Sequence, residues 1–576
     1  MFTLIIQQPL KMIFEKIRAF RGINLPFLAD IRIPGALIKT MVWSFFIVTF
    51  MWYWAGTFLS QYLIQDESYM ALCCRYYREQ PLAMLTFFAG RVAMVSFGDH
   101  IIVLRGLASA SMLGAALIPC CYFYRRTRNL LWTLFILAVC MIAIRCTRNE
   151  FYSWDSAPAV LYGWLLTIMV SYIGSPRRIK TLLAAAVLAL VVLARVPAAL
   201  VAVPACVAIV LAVESRLKKS AVEKLKSIGL CLCVFVAVTA VTVTVMSGSP
   251  AAYIHSWVPE NIINGHKMDD VLHGPGHWNF TIWTAAYICG SYFLFRYMFV
   301  AVAVVRCINR RSRLVAGLAL VLALTCYNVV YDQWVVYPLY VVALGLLLYA
   351  PCHNFVERHI RRGSDMERVD PLVVVAVVAF ALAPVVGSDH VLVRFIFYYS
   401  IPLLMVQLYR RRNGVILWLM LFMTVPALAA GIRNAIWQFT DSSRFAVGKL
   451  PRRELVVDFR ENLEFFLPLA EATSAMEKSG DRYIFMGYHR YEPMYFYKSG
   501  RPYRLNHFHY YYEQDARDFI RTIPDSVDAV VIRRSDLPEL SYEEIGSEFG
   551  AKGYALADSA GIYDIYRKQV AERAAP

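Results

Sequence analysis

The chain has 576 residues, 59% of them hydrophobic and 17% charged, where a soluble globular chain has about 45–50% apolar and about 25% charged residues. Its net charge is +17, yet residues 433–576 carry 20 Lys+Arg and 22 Asp+Glu, so the basic excess belongs entirely to the apolar remainder. There it sits in short clusters between apolar segments. Such clusters set membrane orientation, whereas a nucleic-acid binder gathers its cations on a soluble patch. A wholly soluble protein and a nucleic-acid partner are both excluded.

Residues 1–35 place Lys11, Lys16, Arg18, Arg21 and Arg32 around apolar positions, which predicts a cytoplasmic amphipathic segment lying on the membrane. No short apolar core leads to a small-residue cleavage site, so this is not a cleaved signal peptide. Residues 36–432 form the membrane part. A spanning helix needs about 20 mostly apolar residues. Spans are expected near 36–56, 100–124, 130–146, 158–174, 181–195, 197–213, 226–247, 283–305, 314–332, 337–351, 371–387, 391–408 and 415–432, about 13 in all. The pair 181–195 and 197–213, separated by Arg195-Val196-Pro197, also reads as a broken hairpin that does not fully cross.

Clusters at Arg125–Arg128, Arg177–Lys180, Arg216–Lys226, Arg306–Arg313, Arg358–Arg368 and Arg410–Arg412 each follow an even-numbered span. By the positive-inside rule the N-terminus is cytoplasmic, and the C-terminal domain, residues 433–576, is extracytoplasmic. This sidedness fits an integral, multi-pass protein of a bacterial inner membrane. The first outer loop, residues 57–100, contains a stretch from Pro81 to Val95 with apolar residues at helical spacing around a single charge, Arg91. It predicts a helix along the outer interface. A second outer loop, 247–283, is rich in Gly, Pro, His and Trp. In the C-terminal domain Arg482–Met486 and Ala529–Ile532 read as strands, and 461–477 and 512–521 as helices, a small α/β unit. The fold class is therefore mainly α, polytopic, with an extracytoplasmic α/β domain. None of the 13 cysteines falls in that domain; Cys73, Cys74 and Cys146 lie on the expected outer side, without the spacing of a disulfide framework.

Ionisable groups at the ends of spanning helices are candidates for chemistry. Asp66 and Glu67 follow the first span, and Asp155 precedes the fourth. Asp66 and Asp155 also read as helix caps. Two acids at outer ends of neighbouring spans can converge, one as general base on an acceptor hydroxyl and the other as its polar or metal-binding partner. His255, His266, His273 and His277 lie with Asp269 and Asp270 in the second outer loop without compact metal spacing. No cofactor is firmly predicted, no metal ligands are assigned, and a divalent metal stays open.

An ordered set of segments resembles the C-type glycosyltransferase superfamily, which includes the protein O-mannosyltransferases and the aminoarabinose transferases of lipid A. It runs Asp66-Glu67-Ser68-Tyr69, Gln80-Pro81-Leu82, Phe97-Gly98-Asp99, Leu104-Arg105-Gly106, Trp154-Asp155 with Pro158, Arg195-Val196-Pro197, His273 to Trp278, and Tyr337-Pro338. The likeness is closest over residues 60–215 and looser to 350. The chain has Ser68 and Tyr69 where the lipid A branch often carries a basic residue, and Arg195 in place of a Lys. The resemblance implies an inverting transfer of a monosaccharide from a polyprenyl-phosphate donor at the outer face of the bilayer, with a lipid, glycan or protein acceptor. It implies Asp66 as general base, with Glu67 and Asp155 in the same site. The leaving phosphate needs cations where charge develops; Arg105 and Arg91 lead the candidates, followed by Arg75 and His277. Arg105 is expected to matter more than Arg91. The rival readings are a lipid-linked polysaccharide polymerase or ligase, and a transporter or flippase of lipid-linked saccharides.

Overall fold

A computed structural model describes residues 35–59, 66–146, 152–154, 156–257, 370–383, 445–449, 455–459, 482–486, 501–502, 517, 520–521, 523–533, 540–560 and 563–569. Residues 1–34 of the basic segment, the outer loop from 258 on, most later spans, the helix expected at 461–477, Asp155 and His277 lie outside the described residues.

In chain order the described helices begin with α1 (Gly35–Leu59) and α2 (Asp66–Arg75). Two 3-10 turns, Tyr77–Glu79 and Pro81–Ala83, lead into α3 (Met84–Phe97). Then come α4 (Ile101–Thr127), α5 (Leu130–Cys146), α6 (Ala159–Gly174) and α7 (Arg178–Ala194). After a 3-10 turn at Val196–Ala198 follow α8 (Ala199–Arg216), α9 (Ala221–Ser247), the short α10 (Pro250–His255) and α11 (Pro371–Leu382). Local chemistry sets several boundaries. Gly98 takes φ 109°, which favours glycine and ends α3. Pro197 has no N–H to continue the helix and its ring would clash with the carbonyl four residues back, so α7 stops at Ala194, Arg195 is extended and the chain restarts in a 3-10 turn. Ser220 and Glu223 form a reciprocal capping box at the start of α9.

Among the described residues, Ile101–Thr127, Val196–Arg216 and Ala221–Ser247 are long and apolar enough to cross a membrane. The chain is an integral membrane protein and its described part is mostly helical. The segments 181–195 and 197–213 are two separate helices, α7 and α8, joined by the turn at Pro197.

The helices pack as a bundle, α1 on α5, α4 on α6, α6 on α7, α7 on α9 and α8 on α11. A continuous core runs through it, including Tyr53, Met112, Phe123, Leu166, Ile209 and Phe380. The crossing of α4 and α6 is close because both helices present small residues: a Cβ added to Gly163 would lie 2.5 Å from the Ala115 carbonyl oxygen. At one end of the bundle, Arg126 lies beside Gly174, Lys180 bonds the Ser171 and Ser175 carbonyls, and Arg216 pairs with Asp370. The clusters following the second, fourth and sixth expected spans therefore share one end.

The C-terminal strands are β1 (Phe445–Lys449), β2 (Leu455–Phe459), β3 (Arg482–Met486), β4 (Arg501–Pro502), β5 (Ala529–Arg533), β6 (Tyr554–Ala560) and β7 (Tyr563–Lys568). β1 and β2 form an antiparallel pair, and the others a five-stranded sheet of order β4-β3-β5-β7-β6. Contacts of β3 with β4 and β5 are parallel; β7 runs antiparallel to β5 and β6. Side chains alternate across such a sheet. One face, with Ile484, Met486, Val530 and Ile532, packs on Ile520, Ile523 and the helix α12 (Tyr542–Ala551), where Phe549 stacks on Tyr566 at 4.2 Å. The opposite face, with Tyr483, Phe485, Val531, Tyr563 and Ile565, joins one apolar cluster with Tyr69, Leu72, Cys73 and Cys74 of α2 and Phe87 of α3. Burial on both faces explains why β3 and β5 read as unbroken apolar runs.

Candidate active site

Helix α2 has a half-polar sequence, DESYMALCCR, yet Glu67 through Cys74 are all buried. It lies among α3, α4 and the sheet. A charged residue near each of its ends is paired. The Nε of Arg105 on α4 donates to Glu67 Oε1, and an Nη donates to Oε2, each at 2.6 Å. Both side chains are less than a tenth exposed. At the other end of α2, Arg75 Nε donates to Asp99 at 2.9 Å, across the turn between α3 and α4. A cation in the last turn also suits the helix dipole.

Three further ties fix α3 across this end of the bundle. Thr86 Oγ1 donates to the Ala194 carbonyl at the end of α7, at 2.8 Å. The Tyr152 hydroxyl donates to the Thr86 carbonyl. Just before α3, the Tyr77 hydroxyl donates to the Met246 carbonyl at the end of α9, at 2.9 Å. Gly90 makes room for the neighbours: a Cβ there would meet Cys74 Sγ at 2.3 Å and the Tyr152 ring at 3.0 Å. Trp154 meets Tyr69 and Phe87 edge-on, with ring centroids 6.4 and 6.3 Å apart.

The expected site residues sort as follows. Asp66 is the first residue of α2. Glu67 and Arg105, assigned in advance to the acid and phosphate sides of the reaction, are each other's partners. Arg75 holds Asp99. Asp155 lies outside the described residues, but its neighbour Trp154 rests on Tyr69 of α2. Arg91 is half-buried on α3 and has neither an ion pair nor a hydrogen bond among the described residues. It lies near Tyr76, whose phenol is pushed up by burial and pulled back by Arg75 and Arg91. Burial also drives the thiols of Cys73 and Cys74 upward, and both are free. Among the described residues no group of three His, Cys, Asp or Glu side chains is placed to hold a metal.

The aromatic shell of Tyr69, Tyr152 and Trp154, and the sheet tyrosines Tyr483 and Tyr563, were not among the sequence candidates. The local signals were Tyr69 standing in the segment that begins with Asp66 and Glu67, and Trp154 standing beside Asp155.

The chain matches no family model and no curated protein. Its structure is similar to that of ArnT from Cupriavidus metallidurans bound to undecaprenyl phosphate, at 11% identity and TM-score 0.41, over 93% of this chain and 99% of that one. The apo state of the same ArnT gives 11% identity and TM-score 0.41, over 92% and 98%.

Proposed function

We propose that the chain is a membrane glycosyltransferase that moves a monosaccharide from a polyprenyl-phosphate donor to a hydroxyl acceptor at the outer face of the bilayer. The observation that carries this reading is the buried Arg105–Glu67 pair beside Asp66, on a helix packed against α3. A transferase of this kind needs a fixed carboxylate, a cation for the leaving phosphate and access from the interface. Asp66 is the base, at the head of a helix that Glu67 and Arg105 hold in place. Arg91 serves the donor phosphate from the interfacial helix. Asp155 completes the acidic pair from the segment that Trp154 anchors on Tyr69.

In the reaction the acceptor O–H proton passes to the Asp66 carboxylate as the oxygen attacks the anomeric carbon. The bond from that carbon to the phosphate oxygen breaks, and its electron pair leaves with polyprenyl phosphate. The anomeric configuration inverts. Charge develops on the phosphate, where Arg91 stabilises it. The outer assignment of this site is supported by the gathering of Arg126, Lys180 and Arg216 at the opposite end of the bundle.

The test is to incubate purified protein with a panel of radiolabelled polyprenyl-phosphate sugars and follow sugar release. Transfer from at least one donor is expected, and its abolition in Asp66→Asn at unchanged expression. Substantial turnover by that variant removes Asp66 as the base; inertness toward every donor and acceptor class removes the reading.

A further inference from the structure

At the end of the bundle opposite α2, cations converge from two loops. Arg126 closes α4, Arg177 stands before α7, and Lys180 lies in its first turn. The Arg126 Nη2 lies 3.7 Å from where a Cβ on Gly174 would be, at the end of α6. Lys180 Nζ is held by the Ser171 and Ser175 carbonyls at 2.8 and 2.9 Å, which fixes its charge in the same corner. Arg126 and Arg177 both bear on Lys180 electrostatically. Arg125, Arg128 and Arg178 extend the group, and all five arginines are exposed.

Among the described residues none of these cations is in an ion pair, and Glu214, the carboxylate that reaches this neighbourhood, pairs with Lys219. Segments 100–149 and 156–213 contain no Asp or Glu at all. The contrast with neighbouring cations is direct, because Arg216 has Asp370 at 2.6 Å and Lys219 has Glu214 at 2.9 Å. Beside the cationic corner, one helical turn apart on α7, stand Ile179 and Leu183, which are 59% and 49% exposed. The corner thus offers fixed cations at the interface and an apolar ramp leading from them along the helix.

We propose that the corner formed by Arg126, Arg177 and Lys180 binds the phosphodiester of an anionic phospholipid, with an acyl chain along Ile179 and Leu183. Orientation by positive loops requires only net charge on one side of the membrane. It does not require cations from separate loops to meet, nor one of them to be anchored by two carbonyls. A free phosphate would use the cations but not the apolar ramp, which assigns the ligand to the lipid. This inference is independent of the transferase reading, since it concerns the other end of the bundle.

The experiment uses the purified full chain in zwitterionic micelles. Native mass spectrometry counts retained phosphatidylglycerol and phosphatidylcholine, supplied at equal mole fraction. Phosphatidylglycerol should be preferred by about tenfold or more, given the attraction of basic clusters for anionic headgroups. The double variant Arg126→Gln/Arg177→Gln should fall to parity. Arg126→Lys/Arg177→Lys, which keeps the charge, and Arg216→Gln, whose residue is already paired, should both retain the preference. Inorganic phosphate at the lipid's concentration should displace nothing. Parity in the unaltered chain, an undiminished preference in the Gln double variant, equal loss in Arg216→Gln, or displacement by inorganic phosphate each overturns the proposal.

Discussion

Arg105 and Glu67 meet fork to fork, two parallel hydrogen bonds of 2.6 Å joining residues 38 apart in the chain. The pair is buried, so each member depends on the other. Losing one partner of such a pair leaves a charge without compensation and costs about 3–5 kcal/mol, whereas replacing both by apolar residues is often neutral. Arg105→Ala and Glu67→Ala should each lower the thermal midpoint strongly, and Arg105→Met/Glu67→Leu should recover much of the loss. Arg105→Lys should recover only part, because Lys lacks the bidentate fork. Thermal unfolding in detergent reads all four. A double variant as unstable as the singles would contradict this account.

Arg91 should behave differently. It carries no ion pair among the described residues, so its removal has no buried partner to strand. Arg91→Ala is expected to raise the KM for the donor by about tenfold, the scale of one lost charge-assisted contact, with an unchanged thermal midpoint. Arg105→Ala should damage stability and turnover together. This reverses the order of importance expected from sequence, because Glu67 occupies the Arg105 fork. Equal donor KM in Arg91→Ala and the unaltered chain would return the proposed phosphate role to another cation.

The sheet shares its apolar face with α2, so it must lie on the same side of the membrane as that helix. Ser479→Cys should therefore react with a membrane-impermeant thiol reagent in intact cells, above the background of the native cysteines. Labelling only after the membrane is broken would overturn the outer assignment of both the sheet and the site.

The approach of α4 to α6 should be intolerant of any side chain at position 163. A Cβ 2.5 Å from a backbone oxygen forces the helices apart, since backbone cannot yield as a side-chain tip can. Gly163→Ala should cost about 1–3 kcal/mol, the usual scale of overpacking, seen as a lower thermal midpoint. Gly106→Ala, where nothing lies within 4 Å of the added atom, is the matched control and should be neutral or better.

Much of the described bundle follows from local pattern. Hydropathy placed α4 through α9 within a few residues, and the apolar spacing around Arg91 gave α3 its length. Local pattern also held signals that went unread: Ser541 and Glu544 form a capping box at the start of α12, and β6 and β7 were not expected. What periodicity does not encode is which distant groups meet. Asp66 to Arg75 has a half-polar composition, yet Glu67 to Cys74 of this helix are buried, because two arginine–carboxylate pairs and the sheet cover them. The partners of Arg105 and Arg75 are not legible in the sequence for the same reason: several acids are comparably near in sequence, and the packing of α2 against its neighbours selects among them.

The sheet that seals α2 has a consequence for the order in which the protein is made. Roughly four hundred residues separate Arg75 from Tyr483, and β7 comes later still. At synthesis rates of about 5–20 residues per second, α2 waits on the order of 20 to 80 seconds for its cover. During that interval its apolar side rests on lipid, on a chaperone or on nothing. A nascent chain that stalls before β5 therefore leaves the Tyr69–Cys74 stretch of α2 without its sheet cover, so completion of this end of the bundle coincides with delivery of the last strands. Packing of α2 is in this sense a late check on the chain, because only a polypeptide made almost to its finish carries the strands that cover it.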